Sequence, residues 1–156
     1  MSGVAPLILS ACGGFLLAVL WMDLMFDVQV LRYRTGEVPE PVLGSIAAYY
    51  RRVTTTAQPM GSLVAVVMLT AIVTLVFQVF DGGGRRWLAI ASLLLSVGPI
   101  ALAAVRIIPN AVRLGSRSDD TVRQSDLARS ICKDHVFCVV CIVAFVALQL
   151  VPVLMG

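Results

Sequence analysis

The chain has 156 residues, of which 59% are hydrophobic and only 13% charged, about half the charged share of an ordinary soluble domain. That balance excludes a water-soluble globular protein and leaves no length for a second domain. The formal charge of +3 is carried by loops between apolar runs, so it reads as a signal of membrane orientation and argues against nucleic-acid binding.

The first predicted span covers residues 6–28, which holds the ~20 apolar residues that a ~30 Å hydrocarbon core demands. Leu9-Ser-Ala-Cys12 has the look of a lipobox, but no basic residue precedes it and the apolar run continues past it. The first helix is therefore expected to serve as its own insertion signal. Ser10, Gly14 and Ala18 give it small residues at four-residue spacing, a face suited to close packing within the bundle or across a homodimer. On roughly the opposite face, Trp21-Met-Asp-Leu-Met-Phe-Asp27 places Asp23 and Asp27 one helical turn apart inside the span. An aspartate at the centre of a bilayer costs ~2.5–3.5 kcal/mol on insertion scales, so both should face a bundle interior and find partners.

The loop that follows begins with a Pro/Glu-rich stretch and continues into Gly44-Ser-Ile-Ala-Ala-Tyr-Tyr-Arg-Arg52. Aromatic bodies and basic tips suit that second half to an interfacial helix in the headgroup layer. The second span is predicted at residues 60–80, and Thr54, Thr55, Thr56 or Gln58 could contribute polar groups at its entry. An Asp81-Gly-Gly-Gly84 turn leads to the third span, residues 87–107, with Trp87 as its interfacial anchor. Pro99 and Pro109 remove backbone donors there, so the helix is expected to kink or end near Asn110. The next loop has mixed charge, and helical turns should start near Ser118-Asp-Asp120, where acidic residues favour a helix N-terminus. The fourth span is predicted at residues 136–154. Cys132, His135, Cys138 and Cys141 precede or enter it every third residue. On one helix they would extend ~13.5 Å along the axis, too far for a single tetrahedral ion. No metal is assigned to them, and they read as small side chains filling a bundle interior.

Four runs of this length without strand alternation predict an all-α, polytopic four-helix bundle forming one transmembrane domain over residues 1–156. Of the 12 basic residues, nine lie in the two longer loops and only Arg85 and Arg86 oppose them. Both termini should accordingly face the periplasm or exterior, with the two longer loops cytoplasmic. Richness in Gly, Ala and Val, with arginine far outnumbering lysine, points to a bacterial genome of high GC content and so to the inner (plasma) membrane.

Aligning the spans brings Asp23 and Asp27, Arg106 and Asn110, and His135 to one polar layer near the cytoplasmic surface, with nothing comparable in the outer half. An ion pair of either aspartate with Arg106 would account for much of that layer structurally. A catalytic account uses His135 or Asp23 as general base, Asp27 to orient it, and Arg106 with Asn110 to stabilise a developing enolate or phenolate. A third account binds one metal through Asp23, Asp27 and His135.

The small four-span layout, the polar end of the first helix, Tyr49-Tyr-Arg-Arg52 before the second, and Ile107-Ile-Pro-Asn-Ala-Val-Arg-Leu114 at the third helix exit resemble the anthrone oxygenase-like family of membrane proteins. The resemblance implies transformation of a lipophilic, polycyclic substrate without an obvious cofactor, at Asn110 with Asp or His side chains nearby. Two function classes remain open. One is an oxygenase-like or proton-transfer enzyme acting on a lipophilic small molecule; the cofactor is unknown. The other is a non-enzymatic accessory or assembly subunit, working as a homo-oligomer or within a larger membrane complex. A transporter fits less well, because conduction needs polar stations on both sides of the membrane.

Overall fold

The computed structural model describes residues 4–56, 59–80 and 86–155, with side chains as far as residue 151. The Asp81–Gly84 turn, Arg85 and Gln58 lie outside the described residues. Among those described, four helical stretches are long and apolar enough to cross a membrane. α1 (Val4–Asp27) runs into a short 3₁₀ turn, Val28–Arg32. α2 (Glu40–Thr55) follows, then α3 (Met60–Phe80), α4 (Arg86–Leu102), α5 (Ile108–Ser116) and α6 (Thr121–Met155).

Around the bundle the order is α1, α6, α4, α3 and back to α1. The two short helices pair at the end away from the termini, called here the loop end. α2 starts with Pro39 at its N-cap and Pro41 inside the first turn, where a missing N–H leaves nothing unpaired. Its buried side chains are Leu43, Ile46, Ala47 and Tyr50, an i, i+3, i+4, i+7 stripe that faces α5 and α6. The predicted interfacial segment is thus part of a longer helix and a packed member of the fold. Gly36, at φ +78°, makes the preceding turn, and Arg129 of α6 donates from Nη1 to the carbonyls of Tyr33 (3.1 Å) and Gly36 (2.9 Å).

Helices α4 and α5 are one rod interrupted by a π turn at Ala103–Ile107. Pro109 is the cause: its ring would clash with the carbonyl four residues back. The widened turn lets Ile108 N–H bond the Ala103 carbonyl instead. The helix therefore continues past the predicted exit at Pro109. α6 also exceeds its prediction, beginning at Thr121 rather than near residue 136. Asp120 sets that start as anticipated, accepting from Arg123 N–H at Oδ1 (2.7 Å). The small-residue face of α1 does not meet the bundle: Gly14 and Ala18 are exposed, and neighbouring Gly13 makes the close approach, against Phe145 and Val146 of α6.

Candidate functional site

Where α1 leaves the bundle, Asp27 is fully buried and both of its oxygens accept hydrogen bonds. Tyr50 Oη–H donates to Oδ1 at 2.7 Å, and His135 Nδ1–H donates to Oδ2 at 2.6 Å. An ionised carboxylate oxygen can only accept, so the short contact to Oδ2 assigns the imidazole proton on this side to Nδ1. Asp23, one turn back, accepts from Tyr49 Oη–H at 2.6 Å. Its Oδ2 lies 3.9 Å from His135 Nε2, beyond hydrogen-bond reach but close enough to feel a charge on the ring. Three helices therefore meet at one point: α1 supplies two acceptors, α6 the imidazole, and α2 two phenols.

Burial first, and then the negative charge of Asp27, push the Tyr50 phenol far above its usual range. Burial and the hydrogen bond to Asp23 do the same for Tyr49. Both phenols are consequently neutral donors at physiological pH. Phe26 stacks on Tyr49 with ring centroids 4.1 Å apart, which holds that ring in register with Asp23.

Of the five residues singled out from the sequence, the structure brings together Asp23, Asp27 and His135. Arg106 is elsewhere. It is more than half exposed, donates to Ser130 Oγ at 3.1 Å and lies 3.3 Å from Asp134 Oδ2, so the expected ion pair with Asp23 or Asp27 does not form. The π turn carries Arg106 and helps set the direction of its side chain. Asn110 is half-buried on α5 and takes no part in the cluster. Thr54, Thr55 and Thr56 donate to carbonyls of Tyr50, Arg51 and Arg52 on their own helix. The alternative of a metal held by Asp23, Asp27 and His135 finds no support: among the described residues no three such side chains converge as ligands.

Tyr49 and Tyr50 were the residues missed as cluster members. Adjacent tyrosines also suit a headgroup layer, and only the spacing of Leu43, Ile46, Ala47 and Tyr50 hinted that one phenol turns inward. The other half of the bundle is not devoid of polar groups either. Gln149 of α6 donates to Ser92 Oγ of α4 at 2.7 Å, with both residues buried.

The family model named SHR3 chaperone, described as ER membrane protein SH3, matches residues 2–152. Neither the curated proteins nor the solved structures contain a match to the chain. The family match corrects the resemblance to anthrone oxygenase-like proteins, which rested on a span pattern and a short Pro-Asn helix exit that many membrane proteins could share. It also corrects the assignment to a bacterial inner membrane: the family is one of endoplasmic reticulum membrane proteins, and an arginine-rich composition reports codon usage more than compartment. The match spans nearly the whole chain and includes every element of the cluster, and on that basis the chain belongs to the SHR3 chaperone family.

Proposed function

We propose that this protein is a non-enzymatic assembly factor of the endoplasmic reticulum membrane, a chaperone for other polytopic membrane proteins, and that its Asp–His–Tyr cluster is a structural clamp. The observation that carries this reading is the burial of the cluster's centre at Asp27 and His135. Asp27 is fully buried with both oxygens occupied, and the surface groove along α2 is lined by neither Asp27 nor His135. A general base needs a free lone pair within reach of a substrate proton; both Asp27 oxygens are engaged, and the Nε2 that His135 keeps free belongs to a side chain only 5% exposed. The chaperone named by the family supports the same class.

Nine basic residues in the two longer loops orient the bundle with those loops in the cytosol and both termini in the lumen. An Asn-X-Ser/Thr acceptor fused to either terminus should then be glycosylated, and one placed between α5 and α6 should not.

The decisive experiment depletes the protein and follows newly made polytopic membrane proteins by native electrophoresis of detergent extracts. A chaperone predicts that a subset aggregates on depletion and recovers when the wild-type chain is restored. A permanent, stoichiometric complex with one partner would point instead to a subunit, and unchanged folding of all membrane proteins would overturn the proposal.

A further inference from the structure

A groove of about 390 Å³ runs along the outward face of α2, against the end of α5 and the turn that leads to α6. Its floor is made of small residues. Gly115 sits so close that a Cβ there would lie 2.8 Å from the backbone nitrogen of Arg51, and Gly44 and Ala48 continue the channel along α2. Cations stand at both ends. At one end is Arg117, the C-cap of α5, held at φ 55° in the left-handed region that favours glycine. It reaches across the groove to Glu40 Oε1 at 2.5 Å. At the other end are Arg51 and Arg52.

Four of the nine arginines around the loop end have an acidic partner, Arg106 with Asp134, Arg113 with Asp119, Arg117 with Glu40 and Arg129 with Asp126, and among the described residues Arg32, Arg34, Arg51, Arg52 and Arg123 have none. Of those five, only Arg51 and Arg52 line the groove. We propose that this groove binds an acidic peptide segment of a partner protein, with Glu40 acting as an internal stand-in for one of the partner's carboxylates on Arg117. Length favours a peptide over a single anionic headgroup. From Glu40 to Thr55 the helix measures roughly 24 Å at 1.5 Å per residue, the reach of about seven extended residues, whereas one headgroup could touch only one end. The inference goes beyond the chaperone reading, and its test needs no client.

The test uses the full chain in lipid nanodiscs and a fluorescent peptide of about eight residues, with glutamates at each end and a Gly/Ala/Ser centre. Binding should be salt-sensitive and absent for the glutamine version of the peptide. Arg51→Gln and Arg52→Gln should each weaken it by roughly fivefold, the size of an exposed charge pair. Glu40→Gln, which frees Arg117, should tighten it by a similar factor. These substitutions are on the surface, and an unchanged thermal midpoint shows that each variant folds. Equal binding by the wild type and the Arg51→Gln, Arg52→Gln double variant overturns the proposal, as does weaker binding by Glu40→Gln. Retention of phosphatidylinositol by the two arginines with no peptide binding would assign the groove to lipid and equally overturn it.

Discussion

The loop end of this molecule and its termini end are built by different forces. At the loop end Leu43, Ile46, Leu114 and Ile131 form a continuous apolar core, and α1, α2 and α6 are tied together by Asp27, Tyr50 and His135. At the termini end the core shrinks to Leu9, Cys12, Ala71, Leu75 and Phe145, with Gln149 and Ser92 as the polar contact. α3 buries only Ala71 and Leu75 and leaves Leu63, Val66, Leu69 and Phe77 outward. Near water the hydrophobic effect rewards burial by roughly 1.5–3 kcal/mol for each large apolar side chain. In lipid an outward leucine loses nothing, and helices are held by close packing and a few hydrogen bonds. The difference teaches that the loop end fixes the arrangement of the helices, while the termini end follows it.

The sharpest way to break that contrast is to remove Asp27. Asp27→Ala leaves His135 Nδ1–H and the Tyr50 hydroxyl without their acceptor in a buried site. Loss of one partner of such a pair costs about 3–5 kcal/mol, so the thermal midpoint in mild detergent should collapse. If the cluster is a clamp and no more, Asp27→Leu combined with His135→Leu and Tyr50→Phe should recover much of the loss, since matched apolar replacements of buried ion pairs are often neutral. Failure of the triple variant to recover stability or client folding would give the polar groups a role beyond structure. Next in size is Gly115→Val. Its side chain would strike the backbone of Arg51 and Tyr50 and lever α2 from α5, at roughly 1–3 kcal/mol for overpacking. A smaller midpoint shift than for Asp27→Ala is expected, with the α3 side of the bundle unaffected in amide exchange.

Sequence reasoning reached the apolar spans, the inward aspartates and the helix start at Asp120, because length, the cost of burying charge, and capping are local properties. It failed where the answer depended on which helix stands next to which. Arg106 is on the correct level for Asp27 but turns to Asp134 and Ser130. Tyr50 is legible as an inward position only once α2 is known to be packed. Gln149 was passed over because a lone amide in an apolar run shows no spacing; its partner, Ser92, is 57 residues away. The family, likewise, was not legible from a span pattern, since four apolar helices are a requirement of the bilayer shared by unrelated proteins.

A pH titration sharpens the comparison from another side. The folded-state pKa of Tyr50 is raised above the ordinary value of 10.0, so the folded state holds that proton more tightly. Its contribution is complete below about pH 10 and is lost as pH rises beyond it. Unfolding midpoints should be insensitive to Tyr50 up to that point and then fall. Tyr50→Phe should start lower by about 1–3 kcal/mol, the cost of an unsatisfied buried acceptor, and should fall less steeply in alkali. An unchanged alkaline slope in Tyr50→Phe would mean that another group controls that limb.

The smallest effect is expected at the termini end. Gln149→Leu deletes the hydrogen bond to Ser92 but leaves the serine hydroxyl able to turn back onto a carbonyl of its own helix, as Ser96 already does onto the Ser92 carbonyl at 2.8 Å. Interhelical hydrogen bonds in membranes average only ~0.6 kcal/mol and reach ~1.7 kcal/mol at most, because the separated helices also find partners. Leucine is close to glutamine in size and comfortable in lipid, so the packing around this buried position should survive. The midpoint should shift slightly, and the Asp27 cluster should keep its amide protection. A loss from Gln149→Leu as large as that from Asp27→Ala would reverse the hierarchy, placing the control of helix arrangement in the bilayer and leaving the loop-end clamp to follow it.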